Sequence, residues 1–313
     1  MTALAAVGEP LAEIALGAEP GEAALGFGGD ASNVAVMAAR LGAPVRLAAR
    51  VGDDGLGRRL RAFWAANGVD ATGVRTDADA ATGLYVNETT ADGSHRFVYW
   101  RRGSAGSRLA PEDLDARLFE RLGVLVVTGI TLAVSDFSAR TAVHATRLAR
   151  DSGVRVACVL NHRPALGGDI ARLTAFARAS DIVVGSREDA EAVFGSGDPV
   201  TLRALLADGP DELVLSDGGD PAVAFDGATG WRQPAPDVPV RNAGGAGDAL
   251  AGAYLAARLR GEDVARSLAW GVAAASLSVG RDGCAAGYPS ADEVVALLAE
   301  LPAAEPLDEG ARA

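Results

Sequence analysis

The chain of 313 residues contains no lysine, and all 29 of its basic residues are arginines. This absence excludes chemistry that depends on a lysine Schiff base, on the phosphate-binding lysine of P-loop proteins or on the lysine of protein kinases. Acidic residues outnumber basic ones by 41 to 29, which gives a formal net charge of −12. Because there is also no basic run, nucleic acids and anionic membranes are not expected as partners.

Cysteine and histidine are scarce as well. The two cysteines, Cys158 and Cys284, lie far apart, and the three histidines form no recognisable zinc pattern. A reduced, cytoplasmic protein is therefore expected. No stretch reaches about 18 consecutive strongly apolar residues, and no charged leader begins the chain, so the sequence predicts neither a membrane span nor export.

The chain does contain short apolar runs that alternate with helical segments. Strands are predicted at 45–52, 124–130, 154–161, 181–186 and 212–219, and helices at 55–68, 135–153, 245–260, 262–279 and 290–301. This alternation predicts an α/β fold with a doubly wound, mainly parallel sheet flanked by helices, in one domain of residues 1–303. Residues 304–313 are expected to be a frayed tail.

One section departs from this alternation. Residues 82–104 read as two β-rich arms around the tripeptide ADG at 91–93, which indicates a hairpin. The run LAEIAL at 11–16 offers a strand that could pair with it. We therefore expect a small β-sheet lid formed by about 9–30 and 82–107. A decorative edge hairpin is the alternative.

The segment RNAGGAGDALAG at 241–252 places glycines in front of a small-residue helical run. A helix N-terminus presents unpaired N–H groups and the positive end of the helix dipole. Gly244, Gly245 and Gly247 would let a phosphate approach those N–H groups closely. Asp248 in the first turn could then accept a proton from a hydroxyl group aimed at the phosphate. A tight turn followed by an ordinary N-terminal aspartate is the alternative.

A second glycine-rich segment, GFGGDASNVAVMAARLG at 26–42, also precedes a helix. Asp30 and Asn33 at its start are suited either to cap the helix or to bind neighbouring hydroxyl groups of a sugar. Arg101 in the hairpin and Arg163 after a strand offer guanidinium groups to a substrate carboxylate. Taken singly, each is more typical of a surface arginine.

With these two motifs in this order, the chain resembles the ribokinase-like (PfkB-type) carbohydrate kinases over nearly its whole length. The matching segments are GGDASNVAVMAARLG and NAGGAGDALAGAYLAARLRG. Within the family, VGEPL, TGLYVNE, YWRRGSAGSRLAPEDLD and NHRP are most similar to 2-keto-3-deoxygluconate kinases. The resemblance implies a ribokinase-like fold with a β lid. It also implies transfer of the γ-phosphoryl group of ATP to a primary hydroxyl group of a keto-sugar acid, with magnesium.

The resemblance also implies roles for individual residues. Asp248 would be the catalytic base, beside a cradle of N–H groups formed by Gly245, Ala246 and Gly247. The sugar would be bound by Gly29, Asp30, Asn33, Tyr85, Tyr99, Arg101 and Arg163, the last four at the keto-acid end. The nucleotide would be bound by Ser186, Ser216, Gly218, Gly219, Gly244 and Trp270. Asp189 would be a metal ligand, and a homodimer through the lid is expected.

Departures from the family pattern cluster on the nucleotide and metal side. They are Val159, Ser186, Asp189, Ser216, Pro221, Asn242, Ala243, Gly244 and Trp270. Val159 and Asn242 each stand where the family usually has an aspartate, so each removes a negative charge. Weaker binding of magnesium or of a monovalent cation is therefore predicted. Two alternatives to the keto-sugar acid kinase stay open. One is a relative without ordinary ATP chemistry that binds or converts a sugar or sugar phosphate, and the other is a kinase for another sugar or a nucleoside.

Overall fold

The fold was analysed in a computed structural model, which describes residues 2–17, 19, 21–89, 95–227 and 229–307. The strands are β1 (Ala3–Val7), β2 (Leu11–Leu16), β3 (Ala23–Gly28), β4 (Val45–Gly52), β5 (Val69–Asp70), β6 (Val74–Asp77), β7 (Leu84–Thr89), β8 (His95–Trp100), β9 (Leu122–Thr128), β10 (Arg155–Val159), β11 (Ile182–Ser186), β12 (Glu212–Asp217), β13 (Asp220–Asp226), β14 (Thr229–Gln233) and β15 (Glu305–Pro306). The α-helices are α1 (Asp30–Arg40), α2 (Gly55–Ala66), α3 (Gly129–Ala133), α4 (Asp136–Asp151), α5 (Ile170–Arg178), α6 (Arg187–Phe194), α7 (Pro199–Leu202), α8 (Ala246–Leu259), α9 (Val264–Val279) and α10 (Ala291–Glu300).

The large sheet has the strand order β15-β14-β13-β12-β11-β10-β9-β1-β4-β5, and β6 also pairs with β4. Strands from β12 to β5 run parallel to their neighbours, whereas β13, β14 and β15 are antiparallel. Helices α1, α8 and α9 pack on one face, and α4, α5 and α6 pack on the other. The predicted doubly wound, mainly parallel sheet is confirmed.

Strand β1 shows why the centre of this sheet is apolar on both faces. Leu4 and Ala6 contribute to the core under α1 and α8, whereas Ala5 and Val7 contribute to the core on the opposite face. Side chains of a strand alternate between faces, so a strand covered twice needs apolar residues throughout. Because these strands run parallel, the carboxyl ends of β1, β9, β10, β11 and β12 meet at one edge of the sheet, where the connecting loops can form a site.

A separate four-stranded sheet has the order β3-β2-β7-β8. The two predicted β-rich arms are β7 and β8, which pair antiparallel with Tyr85 opposite Tyr99. The run at 11–16 is β2, and it pairs with β7 in parallel, as anticipated. The predicted ADG turn at 91–93 lies outside the described residues.

Three details differ from the sequence-based expectation. The strand predicted at 124–130 ends at Thr128, because the Thr128 side chain accepts a bond from Thr131 N and begins α3. The antiparallel strands β13 and β14 were not predicted. The start of the expected frayed tail is instead ordered, since β15 pairs with β14 and Leu307 N donates to Gly230 O at 2.8 Å. Within the described ranges, none of the helices has the length and apolar character needed to cross a bilayer.

Candidate active site

The turn before α8 opens the site on one side and is packed on the other. Gly245 caps α8 with a left-handed backbone, φ +82°, and Asn242 Oδ1 accepts a bond from Gly244 N at 2.8 Å. A Cβ atom on Gly245 would overlap Cys284 Sγ, whereas one on Gly247 would have no atom within 4 Å. The glycines are therefore required for two different reasons: Gly245 for close packing behind the turn, and Gly247 for open space in front of the helix N-terminus.

Asp248 lies in the first turn of α8 and is only 7% exposed. Its Oδ2 accepts a hydrogen bond from Asn33 Nδ2 and its Oδ1 accepts one from Asn161 Nδ2, both at 2.8 Å. The carboxylate also lines a cleft at the carboxyl edge of the large sheet. Two amide groups, one from α1 and one from the loop after β10, thus hold Asp248 in a fixed orientation beside the open helix N-terminus.

The surroundings of Asp248 give it an unusual acidity. Burial and, to a smaller extent, the nearby carboxylate of Asp30 raise the pKa of Asp248 to about 7. The hydrogen bonds from Asn33 and Asn161 and the positive charge of Arg163 lower the pKa of Asp248, but they do not offset the burial. A carboxylate that titrates near neutral pH is matched to the task of a general base.

The start of α1 supplies polar groups that the described protein leaves unsatisfied. Asp30 and Asn33 are buried, at 5% and 3% exposure. Ala31 N donates to Asp30 Oδ1 at 2.8 Å, but Asp30 Oδ2 and Asn33 Oδ1 have no hydrogen-bond partner in the described part of the chain. Buried acceptors without a donor are costly, so these two oxygens fit the hydroxyl groups of a bound polyol.

Gly29 precedes these residues and is fixed by packing. Its φ is +97°, and a Cβ atom there would overlap the carbonyl oxygen of Glu9 and lie 2.8 Å from Pro10 Cα. The close approach brings the start of α1 against the connection between β1 and β2. Gly29 thereby places Asp30 and Asn33 at the same edge of the sheet as Asp248.

The two predicted carboxylate-binding arginines have different surroundings. Arg101 is buried and forms an ion pair with Glu9, in which Nε donates to Oε2 at 2.7 Å, and Ser104 Oγ donates to Glu9 Oε1 at 2.8 Å. Arg163 lines the cleft, is half exposed, and lies 3.8 Å from Asp189. Arg101 is therefore already neutralised by a protein carboxylate, whereas Arg163 faces the cleft.

Tyr85 and Tyr99 lie on the inner side of the small sheet. Their ring centroids are 5.6 Å apart, and Arg101 lies over the Tyr99 ring at 5.4 Å. Tyr85 is buried, and a Cβ atom on Gly28 would be 2.7 Å from its hydroxyl oxygen. Burial raises the pKa of both phenols, so both hydroxyl groups stay protonated and able to donate. The Tyr85 hydroxyl group is already hydrogen-bonded to the carboxylate of Glu13, so Tyr99 is the phenol available as a donor next to the sugar-binding segment.

A groove of about 530 Å³ continues from the cleft and shares Ser216, Ala243, Gly247 and Leu250 with it. Its lining includes the predicted nucleotide residues Gly218 and Gly219 together with Ala246. The rest of its wall is mainly apolar and includes Pro236, Val238, Val240, Val272, Ala275 and Val279, together with the carboxylates of Asp217, Asp220 and Asp237. An apolar groove that ends at exposed backbone N–H groups is suited to a nucleotide base at one end and phosphates at the other.

The expectation for Trp270 is wrong. The groove is lined by Val272, Ala275, Ser276 and Val279 of α9, whereas Trp270 projects from the opposite side of that helix. Its ring packs against the core and is covered by the guanidinium group of Arg260 at 4.3 Å. Trp270 therefore neither blocks the groove nor stacks on a base bound in it.

Ser186 and Asp189 line the cleft but also cap a helix. Ser186 Oγ accepts a bond from Asp189 N at 3.0 Å, and Asp189 Oδ1 accepts one from His162 N at 2.9 Å. No group of three or more His, Cys, Asp or Glu residues suited to a metal ion is present among residues 2–89 and 95–307 that the structure describes. Glu188 and Asp189 are carboxylates in the lining, which fits a magnesium ion held mainly by phosphates and water.

Three residues of the site were not predicted. Asn161 adopts a left-handed backbone, φ +35°, which turns its amide group toward Asp248. It is the first polar residue after the buried run of β10, and that position was a usable signal. Cys284 and Tyr288 contact Gly245 from behind, and no local sequence pattern indicates that contact.

The chain is similar to known carbohydrate kinases. Residues 6–291 match the model of the pfkB family carbohydrate kinases. The chain is 36% identical to 2-dehydro-3-deoxygluconokinase of Thermoproteus tenax, over 96% of this chain and 95% of that protein. It is 30% identical to 5-dehydro-2-deoxygluconokinase of Shouchella clausii, over 87% of this chain and 86% of that protein. Its fold is similar to that of an E. coli protein assigned as a ribokinase II and solved in complex with ATP and Mg²⁺, with a TM-score of 0.86, 22% identity, and coverage of 96% of this chain and 100% of that chain.

Proposed function

The chain belongs to the PfkB family of carbohydrate kinases, and from this premise we propose that it phosphorylates a primary hydroxyl group of a 2-dehydro-3-deoxy sugar acid with ATP. The observation that carries the proposal is the position of Asp248. It lies between the unpartnered acceptors of α1 and the open N-terminus of α8. A proton acceptor is thus held where a sugar hydroxyl group and a phosphate would meet.

The sugar binds on the α1 side. Its hydroxyl groups donate to Asp30 Oδ2 and Asn33 Oδ1, which satisfies the two buried oxygens. Arg163 and Tyr99 receive the keto-acid end, because a half-exposed guanidinium group and a protonated phenol are donors for a carboxylate and a carbonyl. Tyr85, which is hydrogen-bonded to Glu13, packs beside the Tyr99 ring. The primary hydroxyl group at the other end of the sugar then reaches Asp248.

Phosphoryl transfer follows from that placement. Asp248 accepts the proton of the sugar hydroxyl group while the oxygen of that hydroxyl group forms a bond to the γ-phosphorus. At the same time, the bond between that phosphorus and the bridging oxygen of ADP breaks. The N–H groups around Gly245, Ala246 and Gly247 stabilise the charge on the transferred group. Magnesium, when bound with the nucleotide, neutralises phosphate charge, and Glu188 and Asp189 are the carboxylates placed to hold it, directly or through water.

The small sheet is proposed to act as a lid and as a dimer contact. Its inner side carries Tyr85 and Tyr99, whereas its outer side exposes Leu16, Leu25, Val98 and Trp100 at 44%, 43%, 41% and 58%. Such an apolar sheet face is suited to pack on the same face of a second copy. A cytoplasmic setting is proposed because the reaction needs ATP and both cysteines are buried free thiols.

The alternative of a sugar-binding protein without ATP chemistry loses one support. It depended on departures on the nucleotide side, among them Trp270, and that side chain lies away from the groove.

The proposed function is tested by an ADP-release assay with ATP and magnesium over a panel of acceptors. The panel contains 2-dehydro-3-deoxygluconate, its galactonate epimer, 5-dehydro-2-deoxygluconate, fructose, ribose and a nucleoside. We expect the highest kcat/KM with a 2-dehydro-3-deoxy sugar acid. Preference for fructose, ribose or the nucleoside would replace the substrate class, and no turnover with any acceptor would contradict the kinase.

A further inference from the structure

The short segment from Cys284 to Tyr288 lies outside both binding motifs, yet it contacts them both. Cys284 Sγ accepts a hydrogen bond from Asn33 Nδ2 at 3.2 Å. Tyr288 Oη donates to the carbonyl oxygen of Gly245 at 2.7 Å. The Tyr288 carbonyl oxygen in turn accepts a bond from Arg40 at the end of α1. The segment therefore joins α1, which carries the sugar-binding residues, to the turn that begins α8.

The contact with Asn33 settles how that side chain is oriented. Nδ2 carries two hydrogens, and it donates to Asp248 Oδ2 and to Cys284 Sγ. With both hydrogens engaged, Asn33 Oδ1 is left as the buried acceptor without a partner in the described chain. A turned amide group would place its oxygen against the Asp248 carboxylate. The sulfur atom thus helps hold Asn33 as a donor to the base and an acceptor for the sugar.

The contact with Gly245 acts on the other half of the reaction. Both Cys284 Sγ and Tyr288 Oη pack against Gly245 where a Cβ atom would be, the hydroxyl oxygen 2.8 Å from that position. Cys284 and Tyr288 are buried, at 7% and 2% exposure. Two rigid neighbours and one hydrogen bond hold the left-handed turn whose N–H groups face the phosphate.

From these contacts we infer that Cys284 and Tyr288 are positioning residues for phosphoryl transfer. They set the distance between the sugar-binding helix α1 and the base and anion-binding turn of α8. The inference rests on the proposed function, since it concerns the same reaction. Cys284 and Tyr288 together form a clamp, which contacts neither the sugar nor the nucleotide and acts through Asn33 and Gly245.

The groups around Asp248 determine the sign of the expected pH effect. The groups that act on Asp248 are Asp30 and Asn33 on α1, Asn161 and Arg163 in the loop after β10, and Cys284. Glu13 on β2 and Tyr288 are neighbours of Cys284. Burial and Asp248 raise the pKa of the Cys284 thiol, so it is neutral and contributes no charge. The Asn33 bond lowers the pKa of Asp248. Loosening Asn33 therefore raises that pKa.

The test is the pH dependence of kcat/KM for the sugar acid in Cys284→Ala. We expect kcat/KM at neutral pH to fall about tenfold and the acid limb to move to higher pH by about half a unit. Cys284→Ser keeps an acceptor for Asn33 and should restore most of the limb position. Cys158→Ala is the matched control, because that cysteine is also fully buried but lies in the core on the other face of the sheet.

A purely structural role predicts a different result. Loss of folded protein lowers activity at every pH without moving the limb, and Cys158→Ala should behave in that way. An unshifted limb in an active Cys284→Ala enzyme would overturn the role of Cys284. Tyr288→Phe, which keeps the ring, should lower kcat about fivefold with little change in KM for the sugar; an unchanged kcat would overturn the role of Tyr288. A wild-type protein without turnover would contradict the proposed function and remove the basis of both.

Discussion

The two halves of the cleft differ in which part of the chain recognises the ligand. On the proposed sugar side, the buried oxygens Asp30 Oδ2 and Asn33 Oδ1 have no donor in the described chain, and the buried carboxylate of Asp248 accepts hydrogen bonds from two amide groups. On the nucleotide side, the described lining contains no arginine and consists of glycines, apolar side chains and exposed acids such as Asp237. In the proposed mechanism, side chains specify the sugar, whereas backbone groups and apolar contact receive the nucleotide.

From this difference we expect the departures from the family pattern on the nucleotide side to leave nucleotide binding intact. A backbone N–H group is present whatever the side chain, so Ala243 or Gly244 in place of a larger residue keeps the anion-binding groups. A buried acceptor such as Asp30 Oδ2 has no such freedom. Variants on the sugar side should therefore have larger effects than variants on the nucleotide side.

The largest effect is expected for Asp248→Asn. An amide cannot accept the proton, so turnover should fall about 10³-fold, while sugar affinity measured by calorimetry should stay within a few-fold of wild type. Asp151→Asn, at the exposed end of α4, is the matched control and should be active. Turnover of Asp248→Asn within tenfold of wild type would show that another group takes the proton.

Gly245→Ala should follow, with Gly261→Ala as its control at the other end of the same helix. Both glycines have a left-handed backbone, at +82° and +90°, but only at Gly245 would the new Cβ atom meet other side chains. Each variant should lose about 1 kcal/mol of folding free energy in urea titrations from backbone strain. Gly245→Ala should lose about 1–3 kcal/mol more, because its new Cβ atom overlaps Cys284 Sγ. Only Gly245→Ala should also lose about a hundredfold in kcat. Equal kcat values for the two variants would contradict the role of the N–H groups around Gly245 in stabilising the transferred phosphoryl group.

Asp30→Asn sharpens the comparison through the direction of a pH shift. It weakens an acceptor for the sugar, so kcat/KM should fall about tenfold to a hundredfold. The Asp30 charge raises the pKa of Asp248, so removing that charge should move the acid limb of kcat/KM to lower pH. The direction is opposite to that expected for Cys284→Ala. A limb that moves upward would mean that Asp30 does not act on the base electrostatically.

The smallest effect is expected in the nucleotide groove. Ser216 Oγ makes only a long bond, 3.5 Å to Gly185 O, and lines both the cleft and the groove. Ser216→Ala should raise KM for ATP about threefold. Trp270→Phe, on the far side of α9, should leave KM for ATP unchanged. A larger increase in KM for ATP in Trp270→Phe than in Ser216→Ala would indicate that Trp270 takes part in nucleotide binding.

Local signals in the sequence were sufficient for the alternation of strands and helices, the two glycine-rich helix starts and the position of Asp248 in the first turn of α8. They fail where a side chain depends on a distant partner. Arg101 is an example, because the carboxylate of Glu9 that neutralises it is 92 positions away. Cys284 is another, since its contact with Asn33 spans 251 positions.

The position of Trp270 could not be predicted from the sequence. It lies on the opposite side of α9 from Val272 and Val279, but α9 is apolar on most of its faces, so helical periodicity does not indicate which face lines the groove. Asn161 could have been found, as the first polar residue after a buried parallel strand.

The most direct test of the account is the pH dependence of kcat/KM for the sugar acid in the wild-type protein. If Asp248 is the base, kcat/KM should be low where that carboxyl group is protonated and rise with pH through about 7 to a plateau. A profile that is flat from about pH 5 to pH 8, or that turns near the ordinary pKa of an exposed aspartate, would contradict the assignment of Asp248 as the buried base.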